Sequence, residues 1–97
     1  MTEIEFRPSA AKDLEEAAEW YEAKQSDLGD EFLEAVRVVL SAIVENPKQF
    51  PVLYRNTRRA LVRRFPYGIY FRAISNRALI VACMHGRRRP TRWQSRK

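Results

Sequence analysis

Hydrophobic positions change their period twice along this chain. From Thr2 to Arg7 they alternate, with Ile4 and Phe6 on one side and Glu3, Glu5 and Arg7 on the other, and Pro8 ends the run. That is the two-residue period of a short, half-buried strand. The period then becomes helical: Ala10, Leu14, Ala17, Ala18 and Tyr21 share one face, while Glu15, Glu16, Glu19 and Glu22 point elsewhere. A helix is predicted over residues 9–24, with Ser9 as its N-cap. The polar stretch Gln25-Ser26-Asp27-Leu28-Gly29-Asp30 breaks it, and a second helical period follows in Phe32, Leu33, Val36, Val39, Leu40, Ile43 and Val44. Asn46-Pro47 stops that second helix. Two helices of about 16 residues joined by about five lie antiparallel, as a hairpin about 24 Å long.

After a connector from Lys48 to Thr57, the pattern becomes short β-branched and aromatic runs: Arg58 to Arg64, Tyr67 to Ile74, and Ala78 to Met84. Ser75-Asn76-Arg77 is the tight turn between the last two, with Asn76 expected in the left-handed region. The order is β-α-α-β-β-β, an α+β fold in which the helical hairpin packs on a small, mostly antiparallel sheet. Alternation puts Tyr67, Ile69, Phe71 and Ala73 on the core side of the middle run, opposed by Gly68, Tyr70, Arg72 and Ile74. In the last run it separates Leu79, Val81, Cys83 and His85 from Ala78, Ile80, Ala82 and Met84. Both of these sides are apolar, as in a central strand.

Composition narrows the class. Ninety-seven residues, 45% hydrophobic and 31% charged, make one domain over residues 1–97, with 86–97 as a basic C-terminal tail. One cysteine, Cys83, and one histidine, His85, supply neither a disulfide framework nor a four-ligand zinc site, and nothing calls for a metal or a cofactor. No apolar run approaches the roughly 20 residues of a membrane span, and the first residues carry acids rather than a basic leader, so a cytoplasmic protein with no membrane partner is expected. The charge is divided: residues 1–50 hold all 12 acids against five bases, whereas residues 51–97 hold 13 bases and no acid. Such a concentrated cation repels itself unless a partner supplies anions, and that partner is a nucleic acid or an acidic protein.

Candidate chemistry follows the cations. The tail carries Arg87, Arg88, Arg89, Arg92, Trp93, Arg96 and Lys97. It reads either as a solvated terminus or as a docking surface in which the Trp93 indole packs down and fixes the arginines. A second cluster, Arg55, Arg58, Arg59, Arg63 and Arg64, is expected to converge with the tail on one patch, since guanidinium forks bind phosphates and carboxylates bidentately. Tyr67 and Tyr70 are either packing residues or stacking surfaces beside that patch. The target-binding set is therefore Arg58, Arg59, Arg63, Arg64, Tyr67, Tyr70, Arg87, Arg88, Arg89, Arg92 and Trp93. Histidine is the side chain that exchanges protons near neutrality, so His85 is either a structural hydrogen-bonding residue or the one acid/base group of a ribonuclease site, with Arg63, Arg64 and Arg87 stabilising the phosphorane. The helix acids are spaced as solvated faces rather than as a metal site.

As a whole the pattern resembles the RelE/ParE superfamily of bacterial type II toxin-antitoxin toxins. The resemblance runs from Phe6 to Trp93 and rests on Asp13-Leu14-Glu15-Glu16-Ala17 through Trp20-Tyr21-Glu22, on Leu28-Gly29-Asp30-Glu31-Phe32-Leu33, and on Asn46-Pro47 with Phe50-Pro51. It continues through Arg58-Arg59-Ala60-Leu61, Arg63-Arg64-Phe65-Pro66-Tyr67, Tyr70-Phe71-Arg72 and His85-Gly86-Arg87-Arg88. The Phe65-Pro66-Tyr67 and His85-Gly86-Arg87-Arg88 signatures are more similar to the ParE-type, plasmid-stabilisation branch. The resemblance implies a toxin held in a hetero-oligomer by a cognate antitoxin whose extended, often acidic segment wraps it. ParE-like members inhibit DNA gyrase by binding; RelE-like members, the alternative, cut mRNA on the ribosome without a metal. This chain has no tyrosine after Tyr70 and no glutamate after Glu45, where RelE-like nucleases place catalytic groups, so only His85, Arg63, Arg64, Arg87 and Arg88 carry over to that role.

Overall fold

A computed structural model describes residues 2–86. Strand β1 (Glu3–Phe6) leads directly into helix α1 (Pro8–Lys24), followed by helix α2 (Leu28–Glu45) and a single 3-10 turn, Pro47–Gln49. Strands β2 (Val52–Tyr54), β3 (Thr57–Leu61), β4 (Tyr67–Ile74) and β5 (Arg77–His85) complete one sheet in the order β1-β5-β4-β3-β2. The β1–β5 pair is parallel, because the helical hairpin carries the chain back across the sheet between them, and the other pairs are antiparallel. The expected α+β architecture holds, with one strand more than the pattern suggested. Val52–Tyr54, within the connector, pairs with β3 at the sheet edge, where its short register leaves little periodicity to read.

Local corrections have local causes. Helix α1 starts one residue earlier than expected, with Arg7 at the N-cap and Pro8 in the first turn. Proline's fixed φ suits that position and its missing N–H costs nothing there, so Ser9 lies inside the helix rather than capping it. The left-handed residue of the β4–β5 turn is Ser75 (φ 54°), not Asn76. Leu33, expected in the core, is 43% exposed.

The hairpin is closed from α1. The Glu22 carboxylate accepts the backbone N–H groups of Asp27 and Gly29, each at 2.9 Å, and so caps the start of α2 where helical N–H groups lack partners. Gly29 permits the approach: a Cβ there would lie 2.6 Å from the Ala18 carbonyl oxygen.

The core lies between the hairpin and one sheet face. Ala10, Ala17, Tyr21, Phe32, Val36, Val39 and Ile43 of the helices meet Ala60, Ile69, Phe71, Ala78, Ile80 and Cys83 of the sheet. Tyr67, Ile69 and Phe71 face the helices, as alternation required. The last strand corrects it. Register steps from Tyr70–Ala82 to Phe71–Ile80, leaving Val81 without a counterpart in β4. This bulge exchanges the two sides of β5 halfway along: Ala78 and Ile80 join the helix-side core, yet so does Cys83, while Ala82 and Met84 form a separate cluster with Tyr70 on the other face.

Candidate functional site

The sheet face away from the helices gathers aromatic and guanidinium groups in cross-strand rows, and Tyr70, Ala82 and Met84 are buried there. Residues opposed in register share a side, so Arg59, Tyr70 and Ala82 make one row, and Thr57, Arg72 and Leu79 the next. Arg72 Nε donates to Thr57 Oγ1 at 3.5 Å. Gly68, on the same side as Tyr70, leaves room for the Arg59 stem: a Cβ at that position would stand 3.2 Å from Arg59 Cγ and Cδ. The Arg59 stem therefore lies against Gly68, and the residue is half-buried. Tyr54 packs against the Tyr70, Ala82 and Met84 cluster, and the Arg55 guanidinium sits 5.3 Å from the Tyr54 ring centroid. Arg59, Arg72 and Arg55 thus border one apolar, aromatic centre. Among the described residues, none of the three is in an ion pair.

The other expected site residues lie elsewhere. Arg58 turns to the helix side at the sheet edge and donates to the carbonyl oxygens of Phe50 (2.7 Å) and Lys48 (3.3 Å), an anchor for the connector. Arg63 and Arg64 occupy the β3–β4 loop and face the acidic start of α2, where Arg64 Nη2 meets Glu31 Oε1 at 2.9 Å. Tyr67 and Tyr70 take opposite faces, so they are not one stacking pair. His85 is on the helix side, edge-to-face on Tyr67 with 5.4 Å between centroids. The described arginines of the two expected clusters are therefore divided among the sheet face away from the helices, the sheet edge and the β3–β4 loop. Convergence on one patch does not occur among them, because the β3–β4 loop bends toward α2. Arg87, Arg88, Arg89, Arg92 and Trp93 lie outside the described residues.

Arg72 belongs to this site and is absent from the expected set. Its signal is plain in retrospect, two residues from Tyr70 in an unbroken strand. What this face can do is bind: guanidinium forks around an apolar centre suit a surface rich in carboxylate or phosphate. The chain's histidine lies across the sheet from it. Cys83 is no nucleophile, because burial first and the Asp13 carboxylate second push its thiol up to about 12. The described residues contain no grouping of histidine, cysteine and carboxylates suited to a metal ion.

Comparison with known proteins adds a family. The model of the ParE toxin of type II toxin-antitoxin systems, parDE, matches residues 4–90. Among solved structures, the chain is similar to one from the chromosomal ParDE toxin-antitoxin system of P. aeruginosa, with 19% identity over 88% of this chain and 96% of that one, and a TM-score of 0.65. At that identity the likeness concerns the fold. No curated protein matches the sequence.

Proposed function

This chain belongs to the ParE toxin family of type II toxin-antitoxin systems, and on that footing we propose that it arrests growth by binding DNA gyrase and is neutralised by a cognate antitoxin. The observation that carries the reading is the sheet face away from the helices, where Arg59 and Arg72 flank Tyr70. A binding toxin needs such a face and no proton-transfer group. The alternative, cutting mRNA on the ribosome, needs His85 and the arginines around one phosphate, and His85 faces α1 instead. The second half of the chain supplies 13 cations for an acidic antitoxin segment to mask, and the tail from Arg87 to Lys97 extends the target surface. No described helix is long and apolar enough to cross a membrane.

Variants test the assignment. Reversing charge with Arg59→Glu and Arg72→Glu is expected to weaken inhibition of gyrase supercoiling by about tenfold or more, since charges at the heart of an interface are costly to invert. His85→Ala is expected to stay within about threefold of the parent in the same assay. A folded His85→Ala protein that has lost growth arrest would count against the binding mechanism. Ending the chain at Gly86 is expected to relieve toxicity; full toxicity of that truncation would remove the tail from the target surface.

A further inference from the structure

Strand β1 forms one edge of the sheet, beyond β5. In the parallel ladder between them, the amides of Glu3 and Arg7 donate to the carbonyl oxygens of Asn76 (2.8 Å) and Ile80 (3.0 Å). Successive peptide groups of a strand point to opposite sides, so the N–H and C=O groups of Ile4 and Phe6 point away from β5. Among the described residues, neither Ile4 nor Phe6 has a backbone partner on that outer side. Such a row of hydrogen-bonding groups is a template for one more strand.

Side chains say which strand fits. Glu3, Glu5 and Arg7 share one side of the strand, opposite the partly buried Ile4 and Phe6. Arg7 continues the extended backbone of β1, with φ −70° and ψ 147°, before α1 begins. Glu5 is answered within the chain by Arg77, at 2.7 Å. Glu3 and Arg7 are not. Among the described residues neither is in an ion pair, and the Arg7 Nε is buried without a hydrogen-bond partner.

Laid antiparallel to itself about a two-fold axis at Glu5, the segment is self-complementary: Glu3 of each copy faces Arg7 of the other, and Ile4 faces Phe6. Ile4 and Phe6 then exchange their outward backbone bonds, while Glu3 and Arg7 form the non-hydrogen-bonded pairs, in which side chains stand closest. The neighbouring registers that use the same outward groups fail. An axis at Ile4 sets Glu3 against Glu5, like charges directly opposite. An axis at Phe6 sets Glu3 against Ser9, which already lies in α1. The cost of the Glu5 register is Glu5 against Glu5 on the axis, which the Arg77 guanidinium of each copy offsets.

We infer that the β1 edge takes a second copy of this chain: two molecules join antiparallel through residues 3–7, their sheets run on as one, and each Glu3 carboxylate pairs with the other copy's Arg7 guanidinium. The inference goes beyond the toxin reading and does not rest on it. A ladder this short buries little area, so the two copies are in a concentration-dependent equilibrium rather than permanently joined.

Sedimentation equilibrium of the full chain from about 5 µM to about 1 mM is expected to show the mass rising toward that of two chains. Over the same range, hydrogen exchange read by NMR is expected to slow about tenfold or more at the Ile4 and Phe6 amides, while the Glu3 and Arg7 amides, bonded to β5 in either state, change little. Glu3→Arg and Arg7→Glu each set like charges face to face at both ends of the ladder and are expected to weaken association about tenfold or more; combined, they restore it to within about threefold of the parent. Glu5→Gln removes the axial repulsion and is expected to tighten association, the opposite of its effect in a register that pairs Glu5 with Arg7. Should Arg7→Glu, at the N-cap of α1, fail to fold, Glu3→Arg and Glu5→Gln still read the register. A chain that stays monomeric to about 1 mM, a dimer whose Ile4 and Phe6 amides exchange as in the monomer, or charge variants that leave association unchanged would overturn the inference. Protection of those two amides only on addition of an antitoxin would give the edge to that partner and overturn it equally.

Discussion

Cys83 lies beneath α1 with its backbone N–H held by Asp13, and its buried thiol keeps its proton to about 12 instead of 9.0. Above pH 9 the unfolded chain gives up that proton while the native chain retains it, so the thiol's contribution to stability is intact below 9 and declines as pH rises toward 12. The expected slope from this group is about 1.4 kcal/mol per pH unit. Tyr21, whose hydroxyl is raised by burial and by Tyr67 and Cys83 nearby, adds loss in the same direction at higher pH. Urea unfolding at pH 8 and pH 10.5 checks this: the parent should lose markedly more stability than Cys83→Ala over that interval, and equal losses would place the alkaline sensitivity elsewhere. The same burial predicts that iodoacetamide leaves the native thiol untouched at pH 8 and alkylates it once urea unfolds the chain. Backbone geometry makes a second residue-scale prediction. Gly29→Ala drives a methyl group into the Ala18 carbonyl and is expected to cost about 2 kcal/mol or more by thermal or urea melting, whereas Glu22→Ala, which removes the cap on α2, costs about 1 kcal/mol.

At the scale of elements, the Val81 bulge decides which residues of β5 meet the helices. Deleting Val81 would restore strict alternation to β5 and turn either Ala78 and Ile80 or Cys83 and His85 to the wrong side. The expected result is loss of a cooperative melting transition; a folded deletion variant would mean that the sheet absorbs the slip. The bulge also marks the limit of what the sequence could tell. Both helices, their core faces and four of the five strands were legible because each has a sustained period. Strand β2 has three residues, too few for any period. The β5 sides were misassigned because both are apolar on either side of the bulge, so a one-residue slip leaves no polar residue out of place. The site divided along the same line. Arg59 and Tyr70, both in the expected set, face each other in an uninterrupted β3–β4 register. Arg63 and Arg64 were misplaced because they belong to a loop, with Arg64 at φ 73°, and no periodicity says which way a loop turns.

Across the whole molecule, the division of charge is only slightly neutralised within the chain. Arg64–Glu31 and Arg77–Glu5 join the basic half to the acidic half, both exposed, and such pairs contribute from nothing to about 1 kcal/mol each. Among the described residues Arg55, Arg59 and Arg72 have no ion pair, and the attraction of such cations for an acidic partner should weaken with salt. Raising ionic strength from 50 to 300 mM is therefore expected to slow association with gyrase or with the antitoxin far more than it changes the melting temperature, which surface plasmon resonance and calorimetry would separate. The proposed arrest of growth by occupying gyrase, rather than by cutting RNA, is tested by adding the purified full chain to a gyrase supercoiling reaction and, in parallel, to a translating extract read by primer extension. Supercoiling is expected to stop while messages stay whole; cleaved codons beside undisturbed supercoiling would overturn the proposal.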